Sequence, residues 1–174
     1  MDRAVEACVR AELRPVVVVL GAVWLAPILL AEDEGGEDVE TGGTKAEVWL
    51  VNNTDWATGL ASSLQAGLAS LESDHSIDAV VITLVDTPSV SPQHLRRIGS
   101  ALCDGATAAV ATYGGEARLP VGLAREVWAD VAGTVAGDEG ARVWLRAHPH
   151  LVTEVECADL GSWSDIDTPA DLPE

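Results

Sequence analysis

The stretch VVITLVDTP, residues 80–88, decides the fold, because it is an apolar, β-branched run that ends in a carboxylate and a proline. Such a run predicts a strand covered on both faces, which is typical of parallel strands in α/β folds. Ligands of these folds bind at the carboxyl ends of the strands, where Asp86 is expected to lie. The same residues also favour a turn before a helix capped near Ser91 and Pro92, so this segment alone leaves the role of Asp86 open.

The segments around this run alternate between helical and extended patterns. Residues 32–45, rich in acidic residues and glycine, are predicted to form a solvated loop. This alternation predicts one α/β domain over residues 1–174, with a mostly parallel sheet and helices on both faces. The periodicity predicts helices at 3–13, 23–30, 59–71, 92–102, 126–131 and 139–147, and strands at 16–20, 46–51, 78–85, 106–112 and 151–155.

Composition restricts the classes of partner. Of the 174 residues, 48% are hydrophobic and 22% are charged, which argues against general disorder. The net charge of -18 opposes binding to nucleic-acid phosphates or anionic membranes, so a nucleotide substrate would need a cation or a local basic group. Three cysteines without a C-x-x-C pair fit a reducing cytoplasm, and the apolar stretch 15–31 is too short and too interrupted for a membrane span.

Two polar segments are candidates for ligand binding. Residues 52–64 form a polar loop that runs into a helix start of small residues, where free backbone N–H groups would let a ligand approach. Helix capping by Thr58, Ser62 or Ser63 is the alternative. Residues 136–142 form an acidic turn before a helix, whose Arg142 would contact phosphate or form ion pairs within a surface helix.

The third candidate segment is acidic and lies near the carboxyl end. If it is extended, Asp165 and Asp167 share one face, and one of them would join Asp86 around Mg²⁺. Away from Asp86 they form a solvated acidic turn before a helix capped by Thr168. The histidines show no metal-binding spacing and are interpreted as surface residues: His75, His94, His148 and His150.

Four motifs in this order resemble the molybdenum-cofactor nucleotidyltransferase family, also called MobA-like, and within it the cytidylyltransferase of molybdopterin. They are NNTDWATGLASSLQAGL at 52–68, VVITLVDTPSVSPQHL at 80–95, GDEGAR at 137–142 and DIDTPADL at 165–172. The resemblance implies a three-layer, Rossmann-like nucleotidyltransferase fold. It also implies Mg²⁺-dependent transfer of CMP or GMP from CTP or GTP to molybdopterin with release of pyrophosphate, and a molybdoenzyme or its chaperone as a further partner.

The resemblance also implies roles for individual residues. Asp86 matches the catalytic, metal-binding acid after the central strand, and Asp165 and then Asp167 match the second metal carboxylate. The residues that match the segment near the base and ribose are Asn53, Gly59, Ser62 and Ser63. Positioning and charge neutralisation are what phosphoryl-type transfer requires.

The sequence departs from the family pattern in two places. No segment of the type L-A-A-G-x-S-x-R-x-G-x-x-K, which cradles the triphosphate, occurs in it, and Leu119 stands before Pro120 where the family tends to have histidine. We therefore expect an N-terminally shortened domain that is impaired in triphosphate binding. The strands at 16–20 and 80–85 would then pair with each other, be covered by another chain or be completed by a segment upstream of Met1. A non-catalytic binding domain on this fold is the alternative function, and a sugar-nucleotide enzyme is a weaker one.

Overall fold

The structure, a computed structural model, describes residues 2–22, 37–41 and 44–161. The helices within these ranges are α1 (Asp2–Arg10), α2 (Leu60–Leu71), α3 (Pro92–Cys103), α4 (Trp128–Thr134) and α5 (Arg142–Ala147). The strands are β1 (Val16–Leu20), β2 (Glu37–Thr41), β3 (Thr44–Asn52), β4 (Ala79–Ile82), β5 (Ala108–Tyr113), β6 (Glu116–Ala124) and β7 (Val152–Glu156). In the described part of the chain no helix has the length and apolar character needed to cross a membrane.

One compact unit comprises residues 14–77 and 128–147. Its sheet has the order β1-β3-β2, with β1 parallel and β2 antiparallel to β3. Helix α2 packs on β1, β3 and α4, and Gly67 permits close approach, since a Cβ there would lie 3.2 Å from Cγ2 of Val19. Leu68, Val131 and Trp144 fill the interior, where each side chain is buried.

The other compact unit comprises residues 1–13, 78–127 and 148–174. Its sheet has the order β4-β6-β5-β7, in which β6 is antiparallel to β4 and β5, and β7 is parallel to β5. Helix α3 packs against all four strands and against α1. The apolar face of α3 is buried through Leu95 and Ile98, so burial rather than capping alone holds the helix on the sheet.

The pairing corrects one expectation about the sheet and decides against one of the three alternatives for its strands. The α/β class is confirmed, but among the described residues only the β1–β3 and β5–β7 pairs are parallel, so the sheets are mixed rather than mostly parallel. The strands at 16–20 and 80–85 do not pair with each other: β1 and β4 are edge strands of different sheets, each with one described neighbour.

The apolar run that opened the sequence analysis is extended over fewer residues than expected. Strand β4 ends at Ile82 rather than Val85, its four residues are half-buried, and Val85 is 63% exposed. The cause lies on the neighbouring strand. Ile82 pairs with Val121, so the next residue would face Pro120, which has no N–H to donate and lies at a bulge in β6. Asp86 therefore lies in a loop and not directly at a strand end.

Other elements also differ from the sequence expectation. Residues 37–41, predicted as part of a loop, form β2, because pairing with β3 satisfies their backbone groups despite their charge. Strand β6 was missed because Pro120 interrupts its pattern. The helix predicted at 23–30 and the capped turn at 164–172 lie outside the described residues.

Candidate functional site

The loop between β4 and α3 presents Asp86 to solvent. The Asp86 side chain is exposed, whereas the neighbouring Thr87 is 5% exposed. Thr87 Oγ1 donates to the carbonyl oxygen of Leu84 at 2.7 Å and lies 3.3 Å from Thr83 Oγ1. The backbone N–H of Val90 donates to the carbonyl oxygen of Thr87 at 3.1 Å. Thr87 thus fixes the loop from within, while the Asp86 side chain stays exposed to solvent.

His94, interpreted from the sequence as a surface residue, is in fact buried, with 1% exposure. The backbone N–H of Ser91 donates to His94 Nδ1 at 3.1 Å, and Ser91 Oγ lies 2.8 Å from the same nitrogen. Burial, and next the charge of Arg97, hold the pKa of His94 below its ordinary value. The pattern S-x-x-H at 91–94 is a capping box in which His replaces Glu or Gln, and this signal could have identified the buried role.

A second cluster lies in the other compact unit, around Asn53. Its side chain is buried, with 6% exposure. Nδ2 of Asn53 donates to Ser62 Oγ at 2.8 Å and to Ser63 Oγ at 3.0 Å, while Oδ1 accepts the Asp55 N–H at 2.9 Å. Ser62 Oγ also donates to the carbonyl oxygen of Gly59 at 2.8 Å. The four residues predicted to bind nucleotide therefore form one hydrogen-bonded group, with Asn53 holding the loop against the start of α2.

Gly59 brings the start of α2 against the turn at 137–138. It is the N-cap of α2 with φ 117° and ψ 179°, a conformation that only glycine adopts readily. A Cβ there would lie 2.4 Å from the carbonyl carbon and oxygen of Gly137 and 2.8 Å from Oδ1 of Asp138. The carbonyl oxygen of Gly137 accepts the N–H of Ala61 at 2.9 Å. Capping by Thr58, Ser62 or Ser63 is thus wrong for this helix, and the N–H of Ala61, expected to be free, is occupied.

Of the three residues predicted to hold the metal, only Asp86 belongs to the described part of the chain. Asp165 and Asp167 lie outside the described residues. Among those described, no group of three or more His, Cys, Asp or Glu side chains is placed to bind a metal ion. The exposed carboxylate of Asp86 nevertheless fits Mg²⁺ or Mn²⁺, because Mg²⁺ sites use one or two carboxylates with water and substrate phosphates. Asp86 and the Asn53 cluster belong to different compact units.

An ion pair between Arg97 and Asp159, which the sequence did not reveal, fixes the chain just before the last described residue, 161. The Arg97 guanidinium donates to both carboxylate oxygens of Asp159 at 2.6 and 2.9 Å, and to the carbonyl oxygen of Glu156 at 2.7 Å. The hydrogen bonds from Arg97 lower the pKa of the Asp159 carboxyl. The Glu156 carboxylate accepts the Ala158 N–H at 2.9 Å, which is the first cause of its own lowered pKa. These bonds anchor the short 3-10 helix Ala158–Leu160 on α3.

Comparisons with known proteins agree on the family and the fold. The profile of the MobA-like NTP transferase domain matches residues 1–152. Nicotine blue oxidoreductase of Paenarthrobacter nicotinovorans is 34% identical over 125 residues, which cover 68% of this chain and 60% of that protein. The chain therefore spans about three-fifths of this curated relative.

Two crystal structures share the fold. One is a homologue of Mycobacterium tuberculosis Rv0371c from Mycobacterium sp. strain JC1, with a TM-score of 0.69 and 25% identity over 97% of this chain and 77% of that chain. The other is Rv0371c of M. tuberculosis H37Rv in complex with manganese, with a TM-score of 0.68 and 21% identity over 98% of this chain and 82% of that chain.

Proposed function

The chain belongs to the MobA-like NTP transferase family, and from this premise we propose that it is a Mg²⁺- or Mn²⁺-dependent nucleotidyltransferase. The proposed reaction transfers CMP or GMP from CTP or GTP to molybdopterin and releases pyrophosphate. In this reaction a phosphate oxygen of the acceptor attacks the α-phosphorus, and the bond from that phosphorus to the bridging oxygen of pyrophosphate breaks. The single observation that carries the proposal is the exposed Asp86 carboxylate on a loop braced by Thr87.

The physical need for a cation supports this assignment. The chain has a net charge of -18, so a triphosphate near the Asp86 carboxylate meets repulsion that a divalent cation would neutralise. When bound, the cation would supply charge stabilisation for the transferring phosphoryl group. Asp86 would hold it, and Asp165 and then Asp167 are the carboxylates proposed to complete the site. The manganese bound by the fold relative Rv0371c is consistent with divalent-metal use.

The Asn53 cluster is proposed to bind the base and ribose. Because the side chain of Asn53 is buried and its amide already has three partners, we infer that it shapes the loop rather than contacting the nucleotide. The exposed surface of that loop, which includes Asp55, Trp56 and Thr58, would face the ligand. Substitution of Asn53 should therefore weaken nucleotide binding through loss of loop order.

Calorimetric titration with Mn²⁺ and either CTP or GTP tests the binding part of the proposal. We expect binding that needs the cation and is weakened by both Asp86→Asn and Asn53→Ala. Asp104→Asn, which changes an exposed acid at the end of α3, provides the matched control for charge. Equal binding by wild type and Asp86→Asn would contradict the role of Asp86.

Two other functions are alternatives. A non-catalytic binding domain on the same fold predicts partner binding that survives Asp86→Ala and no release of pyrophosphate. An oxidoreductase is favoured by the 34% identity to nicotine blue oxidoreductase; it predicts oxidation or reduction of nicotine blue when a matching electron acceptor or donor is added, measured as a change in absorbance. A cytoplasmic location and a molybdoenzyme or chaperone partner belong to the nucleotidyltransferase proposal.

A further inference from the structure

The loop that carries Asp86 is held at both of its ends. At its start, Thr87 Oγ1 bonds the carbonyl oxygen of Leu84 at 2.7 Å. At its end, Val90 is 8% exposed in a cluster with Ala7, Ala11 and Leu95, and its N–H bonds the Thr87 carbonyl oxygen at 3.1 Å. The backbone N–H of the next residue, Ser91, donates to Nδ1 of His94. One continuous series of contacts thus runs from His94 to the residue beside Asp86.

The contact between Ser91 and His94 requires one particular form of the imidazole. Nδ1 accepts the Ser91 N–H at 3.1 Å, so this nitrogen carries no proton. Protonation of Nδ1 would place an N–H against the N–H of Ser91, and the backbone group would lose its acceptor. Glutamine, an ordinary residue at this position of a capping box, would accept the same N–H without titrating.

We propose that His94 is a positioning residue for Asp86: its unprotonated Nδ1 holds Ser91, and this contact fixes the loop that presents Asp86 to a divalent cation. The cation step rests on the proposed function, whereas the fixing of the loop does not. Protonation of Nδ1 leaves Ser91 Oγ, 2.8 Å away, as the remaining partner of this nitrogen and releases the Ser91 N–H, so the order of the Asp86 loop falls as the pH falls.

The groups around His94 favour its neutral form. Arg97, one turn further along α3, repels a positive charge on the imidazole, and Asp159 on the short 3-10 helix offsets this in part. From β5, the Tyr113 ring lies 5.9 Å away between centroids; its pKa is raised to about 12, first by burial, so it carries no charge near neutral pH. Next to Tyr113, Glu156 is the charged group; the Cys157 thiol is uncharged near neutral pH, because burial raises its pKa.

Amide hydrogen exchange tests the contact and its reach. The protection factors of the Ser91 and Val90 amides would be measured between about pH 8 and pH 5 for wild type, His94→Gln and His94→Leu. In wild type we expect both to fall together by about two- to tenfold as pH drops, the equivalent of one hydrogen bond. His94→Gln should keep both constant and His94→Leu should show low values throughout. Constant wild-type values, or a parallel fall in His94→Gln, would overturn the proposal.

Mn²⁺ binding measured by electron paramagnetic resonance tests the step from loop to cation. Between about pH 7.5 and pH 5.5, the wild-type dissociation constant should rise about two- to tenfold more than that of His94→Gln, which keeps the Asp86 carboxylate. Equal rises in the two proteins would overturn the positioning of Asp86 even if Ser91 behaves as expected. Absence of Mn²⁺ binding by wild type at the higher pH would overturn the cation step together with the proposed function, while the two amides still decide whether His94 fixes the loop.

Discussion

Among the glycines that the structure describes in its unit, Gly59 is the one whose replacement by alanine should disrupt the start of α2 most. The backbone at φ 117° and ψ 179° is nearly exclusive to glycine. A residue with a side chain adopts this conformation at a cost of about 1–3 kcal/mol. The new Cβ would lie 2.4 Å from the Gly137 carbonyl, whose bond to the Ala61 N–H contributes about 0.5–1.5 kcal/mol and would be broken. Together these terms lower the free energy of unfolding by about 1.5–4.5 kcal/mol.

Gly133→Ala is the matched control in the same unit. Gly133 lies in α4, and a Cβ there would meet no atom within 4 Å, so alanine should stabilise the helix by about 0.5–1 kcal/mol. Urea unfolding followed by tryptophan fluorescence suits the comparison, because the four tryptophans among the described residues all belong to this unit, at 49, 56, 128 and 144. A Gly59→Ala protein as stable as Gly133→Ala would refute the contact between α2 and the turn at Gly137.

Three further substitutions test individual contacts. Asn53→Ala should lower the free energy of unfolding by about 1.5–4.5 kcal/mol through three lost hydrogen bonds, and a urea-unfolding loss near zero would contradict this. Arg97→Met should raise the pKa of Asp159 towards its ordinary value and so remove the stability that the ionised carboxylate contributes above its ordinary titration range; an unchanged carboxyl titration by NMR would exclude the pair. Ser89 Oγ is buried without a hydrogen-bond partner among the described residues, so Ser89→Ala should raise the unfolding free energy by about 1 kcal/mol, and a loss of that size would be the contrary result.

Elements defined by their own residues could be predicted from the sequence. Strand β1 occupies the residues expected from its β-branched run, and α3 begins at Pro92 as its capping signals indicate. Strand β4 was overestimated because its end is set by Pro120 on a neighbouring strand. That information is tertiary, and no local pattern in residues 80–88 contains it.

In the candidate site, too, local features could be predicted from the sequence and tertiary contacts could not. The sequence placed Asn53, Ser62 and Ser63 in one polar segment, which the structure joins by hydrogen bonds, but it did not show that Gly137 occupies the start of α2. The pair of Arg97 and Asp159 joins residues 62 positions apart, beyond the reach of any local pattern. The binding roles of Asp86 and of the Asn53 cluster stay predictions, because they rest on the family resemblance.

Release of pyrophosphate from CTP or GTP in the presence of molybdopterin tests the nucleotidyltransferase proposal most directly. It would be measured with and without Mg²⁺ or Mn²⁺ for wild type, Asp86→Asn and the control Asp104→Asn. We predict cation-dependent release of pyrophosphate by wild type and Asp104→Asn. The rate of Asp86→Asn should be lower by about 100-fold, equivalent to roughly 3 kcal/mol of lost charge stabilisation. Equal rates in wild type and Asp86→Asn, or release that needs no cation, would contradict the account.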